Sequence, residues 1–138
     1  MTARLIDGVA VATLVRQECR ARVARLRERT GLVPGLAVLM VGHNDASRLY
    51  VRNKIRACAE VGIQAELHQF AETVDPEEVG RKIAWLNEDP AVHGILVQLP
   101  LPRTWMAGLV LRAISQDKDV DGLHLYNVGA LVAGDTVF

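Results

Sequence analysis

Tyr50 and Lys54 stand four residues apart in the run Ser47-Arg-Leu-Tyr-Val-Arg-Asn-Lys54, the step that brings two side chains onto one face of a helix. Together they offer an aromatic plane for stacking, a hydroxyl for hydrogen bonding and an amine. An amine that sheds hydration beside apolar strand ends becomes able to exchange protons near neutrality. Gln98 closes the apolar run Gly94-Ile-Leu-Val-Gln98 and is followed at once by Leu99-Pro-Leu-Pro102. Prolines cannot donate ladder bonds, so a strand ends there with the glutamine at its edge. That amide can accept from one partner and donate to another, which suits orienting Lys54 or a ring carbonyl. Asp121, in Lys118-Asp-Val-Asp-Gly122, supplies a carboxylate able to read the N–H groups of a heterocycle. Plainer readings stand beside these: a core tyrosine with a snorkelling lysine, a strand-end amide capping loose backbone, and a solvated turn. The solvated turn fits Lys118 and Asp119 better than Asp121.

The elements that must position these groups follow from periodicity. From Asp7 to Arg29, Val11, Leu14, Val15, Cys19, Val23 and Leu26 recur at helical steps, arginines fill the opposite face and Gly31 closes the segment, so an amphipathic helix is expected. Leu36 to Val41 is continuously apolar between Pro34-Gly35 and Gly42, the pattern of a strand buried on both faces of a parallel sheet. A helix over Ser47–Val61, a strand over Gln64–Phe70, a helix over Pro76–Asn87 opened by Asp75, a strand over Gly94–Leu99 and a helix over Thr104–Ile114 complete the reading. Trp85 fits the inner face of its helix, Trp105 either packs or lines a rim, and His68 reads as a strand-surface residue. Strands alternating with helices predict an α/β fold, a three-layer α/β/α arrangement with a mainly parallel sheet. Ligands in such sheets sit beyond the carboxyl ends of the strands. That rule selects the loop His43–Ala46 with the start of its helix, the loop after Phe70, and Gln98–Pro102.

The remaining chemistry is sparse. The 138 residues carry 16 Lys and Arg against 16 Asp and Glu, which gives no electrostatic case for nucleic acid or an anionic membrane. The arginine row of the first helix has no interleaved aromatics and reads as a solvated face. Cys19 and Cys58 are the only cysteines; without metal or disulfide spacing they are expected as reduced, part-buried thiols. His43, His68, His93 and His124 have no ligand spacing, and a lone D-x-D is a poor metal site, so no metal is expected. Val41-Gly-His-Asn-Asp45 lacks a GxGxxG or GxxxxGK pattern, so no nucleotide site is expected in this chain. No apolar run reaches the length of a membrane span and no signal peptide opens the chain, which predicts a cytoplasmic protein.

In order along the chain, VGHNDASRLYVRNKIRACAEVGI, HGILVQLPLP and KDVDGLHLYNVGALVAG closely resemble the amino-terminal domain of bifunctional methylenetetrahydrofolate dehydrogenase/methenyltetrahydrofolate cyclohydrolase. The resemblance covers almost the whole chain. It implies that residues 1–138 form the folate-binding catalytic domain. It also implies that NADP binds to a separate carboxyl-terminal Rossmann domain outside this sequence, and that the protein is a homodimer. The implied reactions are oxidation of 5,10-methylene-tetrahydrofolate to the methenyl form, which needs the absent domain, and hydrolysis of that form to 10-formyl-tetrahydrofolate. Carried over by position, Lys54 matches the essential proton-handling lysine and Gln98 the glutamine that positions it. Tyr50 matches the tyrosine that stacks on the aminobenzoate ring, and Asp121 the carboxylate that binds the pterin. Ser47, Val97, Leu99 and Pro100 match cleft-lining positions. Asp45, Thr104, Leu123 and Leu125 depart from residues common in the family, and none removes a catalytic group. A non-catalytic folate-binding or dimerising module is the alternative. An unrelated domain like the substrate domains of amino-acid dehydrogenases shares the architecture, but the QLPLP and KDVDG segments argue against it.

Overall fold

The apolar run after Gly35 forms the middle strand of a parallel sheet, β1 (Gly35–Val41), flanked by β2 (Gln64–Phe70) and β3 (Gly94–Val97) in the order β2-β1-β3. The structure, a computed structural model, describes residues 6–102, 105 and 107–135. Gly35 to Val41 pair with Gln64 to Phe70 on one side, and Leu36 to Leu39 with Gly94 to Val97 on the other. An isolated parallel bridge between Ile95 and Asp119 extends the backbone pairing outward from β3.

Strand alternation divides β1 between two cores. Ala37, Leu39 and Val41 join Ile95 and Val97 against Val79, Ile83 and Leu86 of α3 (Pro76–Glu88), with Ile114 closing the cluster. Val38, Met40 and Leu96 face the other way, onto Val51 and Ile55 of α2 (Asp45–Val61). Helices on both faces of an all-parallel sheet make the expected three layers, and this two-sided burial is what the unbroken apolar run encodes. The remaining helices are α1 (Gly8–Thr30), α4 (Ala107–Arg112) and α5 (Leu125–Ala133), with a 3-10 turn at Gln116–Lys118.

Helix ends follow local chemistry. Asp7 Oδ1 accepts from the amides of Val9 and Ala10, Asn44 Oδ1 from Ser47 and Asp75 Oδ1 from Glu77. Gly31 and Gly62 close α1 and α2 in the left-handed region, where a side chain would be strained. Because Asn44 is the cap, α2 begins at Asp45, two residues before the expected start. β3 ends at Val97 rather than Leu99, although the Gln98 amide still donates to the Leu39 carbonyl at 2.8 Å. Residues 104 and 106, at the expected start of the helix after the prolines, lie outside the described residues.

Four expectations are corrected. The first helix forms, yet none of its residues is buried and Val11, Leu14 and Val15 stand exposed. It meets α2 from Arg16 onward: Arg20 Nε donates to the Glu60 carbonyl at 2.8 Å and Arg16 pairs with Glu60. The apolar stripe records what the helix can bury, and among the described residues nothing covers Val11, Leu14 and Val15. Trp85 points outward, 56% exposed, with Lys82 Nζ 4.1 Å from its ring centroid. The buried stripe of α3 is Val79, Ile83 and Leu86, and a residue two after Ile83 lies about 200° round the helix. The His68 side chain is only 11% exposed, because its register partner Leu39 places it on the α3 side of the sheet. Asp119 and Lys118 are not solvated: Asp119 is buried, and Lys118 Nζ donates to the carbonyls of Leu86 and Asp89 at the end of α3.

Candidate active site at the carboxyl end of the sheet

The α2 face that meets the sheet carries Ser47 and Val51, both buried, and Lys54 follows one turn later, half-buried. Across from it, strand alternation turns Gln98 toward α2, because Leu96 before it packs on that side. Lys54 Nζ donates to Gln98 Oε1 at 3.2 Å. The same amide donates from Nε2 to the Leu99 carbonyl at 2.7 Å, so both its ends are committed and its orientation is fixed. Ser47 Oγ reaches the same carbonyl at 3.5 Å, tying the start of α2 to the proline segment, whose Leu99–Pro100 bond is cis. Tyr50, one turn before Lys54, is 64% exposed, so its ring is free to stack on a ligand.

The other expected residues divide. Leu99 and Pro100 are exposed at the rim. Val97 differs from expectation: its side chain is buried in the α3-side core, so it does not line the cleft. One residue of strand period separates it from Gln98, and that step reverses the face. Asp121 is exposed on the turn after Asp119, and among the described residues no hydrogen bond joins it to Lys54 or Gln98. A polar groove of about 560 Å³ adjoins these strand ends, with Gly42, His43, Asn44, Glu72 and Pro100 in its walls. His43 bonds Gln69 there at 3.1 Å. A second groove of about 530 Å³, more apolar, lies on the opposite flank of α2 among Met40, Leu49, Ile55 and Leu67.

Sequence reasoning passed over Asp119. Burial pushes its carboxyl up, but hydrogen bonds from the His124 amide, Asn127 and the Leu123 and Asp121 amides outweigh that and hold it below its ordinary 3.8. The signal available in the sequence was an aspartate five residues before a histidine N-cap with an asparagine in the following first turn; neither that cap nor α5 was anticipated. His124 Nδ1 caps α5 at the Tyr126 amide, and Gly134 closes it. The two thiols are free and half-buried, and burial, with Cys19 nearby, pushes Cys58 up, which is the reverse of an activated nucleophile. Among the described residues no group of three or more His, Cys, Asp or Glu is placed to hold a metal.

Residues 6–121 match the family model of the tetrahydrofolate dehydrogenase/cyclohydrolase catalytic domain. The chain belongs to this family. Across its full length it is 55% identical to the bifunctional protein FolD of Nitrosospira multiformis, of which it covers 48%. The FolD structure from Campylobacter jejuni, a methylenetetrahydrofolate dehydrogenase/cyclohydrolase, superposes with a TM-score of 0.92 at 40% identity, over 95% of this chain and 46% of that one. A Trypanosoma brucei methylenetetrahydrofolate dehydrogenase-cyclohydrolase complexed with NADP cofactor and inhibitor gives a TM-score of 0.90 at 38% identity, over 95% of this chain and 45% of that one. The chain thus spans about half the length of the curated FolD relatives it matches. The tetrahydrofolate dehydrogenase/cyclohydrolase model ends at Asp121, so the Lys54–Gln98 pair and the whole KDVD turn fall inside it.

Proposed function

We propose that this chain is the folate-binding, one-carbon-handling domain of a methylenetetrahydrofolate dehydrogenase/methenyltetrahydrofolate cyclohydrolase, with Lys54 and Gln98 as its catalytic pair. The observation that carries the reading is the 3.2 Å contact between Lys54 Nζ and Gln98 Oε1 at the carboxyl end of a parallel sheet. In hydrolysis of the methenyl bridge, water oxygen adds to the bridging carbon and loses a proton. The carbon's bond to N5 then breaks as N5 takes up a proton and the new hydroxyl releases its own to solvent, leaving 10-formyl-tetrahydrofolate and one proton in excess. Lys54 is the group placed to accept the first proton and return the second. Gln98 holds the amine in place through an amide that cannot turn without giving up the Leu99 carbonyl. Tyr50 stacks on the aminobenzoate ring and Asp121 reads the pterin. Ser47 fixes the Leu99 segment, and Leu99 and Pro100 form the rim.

NADP does not fit the described residues. The β1–α2 turn holds one glycine, its helix start is capped by the Asn44 side chain, and Asp45 puts negative charge in the first turn where a phosphate would sit. Hydride transfer is therefore assigned to a separate NADP-binding Rossmann domain of the full-length protein, and no step of it to these residues.

The homodimer is part of the same proposal. Among the described residues the outer edge of β2 is unpaired, and beside it Met40, Leu49, Ile55 and Leu67 form the apolar groove on α2, a surface suited to a second copy. Among the described residues no helix is long and apolar enough to cross a membrane. With two free thiols, a cytoplasmic location is the consistent one.

The test is hydrolysis of 5,10-methenyl-tetrahydrofolate by the purified chain, followed by loss of absorbance of the methenyl form. Lys54→Met lowers the rate by about 100-fold or more while the urea unfolding midpoint stays near that of the parent. A parent-like rate in that variant removes Lys54 from the mechanism. Binding of 5-formyl-tetrahydrofolate without any hydrolysis by the parent chain makes it a binding module instead.

A further inference from the structure

Asp119 is a buried carboxylate, 3% exposed, with no cationic partner among the described residues. Its neighbour Lys118 is committed to the carbonyls of Leu86 and Asp89. A lone charge is costly to bury unless hydrogen bonds replace its hydration. Here they all come from one short stretch of chain. Oδ2 accepts from the His124 amide at 2.7 Å and from Asn127 Nδ2 at 3.0 Å, and the backbone amides of Leu123 and Asp121 add to them. Asn127, itself 2% exposed, also donates to the Gln116 carbonyl at 3.0 Å. Residues 116 to 127 are thereby drawn round one carboxylate, and Gly122, at φ 67°, lets the chain reverse immediately after Asp121.

The carboxylate is anchored to the sheet that carries Gln98. Asp119 bridges Ile95 in parallel register, and the next residue, Val120, packs where a Cβ on Gly94 would stand. Chain direction is shared across that bridge, so two residues beyond Asp119 lead to Asp121 as three residues beyond Ile95 lead to Gln98. The turn that carries Asp121 is thus fixed at its root to the strand that leads into Gln98.

We propose that Asp119 is a positioning residue that holds the turn so that Asp121 meets the bound folate from the Gln98 side of the site. This rests on the folate reading above. The role differs from core packing: an apolar side chain could fill the same space, but only a carboxylate can gather these donors.

The experiment is a double-mutant cycle on the full chain, with 5-formyl-tetrahydrofolate as the probe and hydrogen exchange as a second readout. Asp119→Asn keeps the shape and presents an amide N–H₂ to donors. It weakens Kd about tenfold, Asp121→Asn does likewise, and the double variant is no weaker than Asp121→Asn alone. The amides of Asp121, Leu123 and His124 exchange faster in Asp119→Asn, while Val38 and Leu39 keep their protection. Additive losses in the cycle, or parent-like affinity and exchange in Asp119→Asn, overturn the proposal. If Asp119→Asn does not fold, Asn127→Ala serves in its place, removing one donor while leaving the carboxylate, with the same coupling at about threefold. A parent chain that does not bind the probe overturns the folate reading itself, and the exchange data then decide whether Asp119 holds the turn.

Discussion

At the scale of single residues, the two faces of the sheet impose different chemistry on neighbouring side chains. His68 sits on the α3 side, where burial first and Lys82 second lower its pKa, with Glu66 at 3.6 Å opposing them. The native state therefore binds fewer protons than the unfolded chain between the lowered value and the ordinary 6.5. Stability rises with pH across that window and levels off above 6.5; below the lowered value the difference stops growing. Urea unfolding between about pH 5 and pH 7.5 reads this directly. The His68→Gln variant has a flatter profile than the parent, and identical profiles would show that His68 does not contribute. Lys54 and Gln98 were legible because a helix step and a strand end are local features. Asp119 was not, because its burial depends on Ile95, some twenty residues earlier in the chain, pairing beside it. Val97 was misplaced for a related reason: position in a motif does not say which way a strand side chain points.

At the scale of elements, the strands and the capped helices followed the sequence closely, since apolar continuity in β1 and the Asn44 and Asp75 caps are written within a few residues. The start of β1 depends on a contact no local pattern reveals. A Cβ on Gly35 would run into the Ala91 carbonyl, while the Gly35 amide donates to His93 Nδ1 at 3.0 Å and its carbonyl accepts from the His93 amide at 2.9 Å. Backbone lies on both sides of this clash, so neither can yield cheaply. Gly35→Ala is expected to cost about 2–4 kcal/mol, toward the upper end for an overpacked site, measured as a fall in the urea midpoint. Gly94→Ala meets a Val120 methyl instead and costs less; equal losses would contradict this distinction. The helix α5 escaped sequence reading because its run from Leu125 to Ala133 is apolar nearly all round, leaving no clear face for periodicity to detect.

At the scale of the whole molecule, the apolar surface that remains uncovered is not spread evenly. Among the described residues its most exposed stretches include Val9, Val11, Leu14 and Val15 on α1 and Leu131 and Val132 on α5, and Leu49 and Leu67 add to it in the groove between α2 and β2. Equal numbers of acidic and basic residues leave little net repulsion to keep two copies apart. The dimer proposed here is tested by sedimentation velocity at tens of micromolar: the parent runs as a dimer, and Leu67→Glu, which puts a charge in the groove, runs as a monomer with its unfolding midpoint little changed. A monomeric parent at that concentration would rule out the groove as a self-association surface.

The commitments around the Leu99 carbonyl bear on the pose of the proposed ligand. Gln98 and Ser47 both donate to that oxygen, and Gln98 Oε1 takes one proton of Lys54. Among the described residues Lys54 Nζ has no other hydrogen-bond partner, which leaves its remaining N–H groups for a ligand. Asp121, exposed on its own turn, has no side-chain hydrogen bond among the described residues. On the folate reading, Lys54 offers hydrogen-bond donors at one end of the site and Asp121 an acceptor at the other. A folate entering reversed would lose both matches, so the two residues proposed to recognise it would also disfavour its inverted pose.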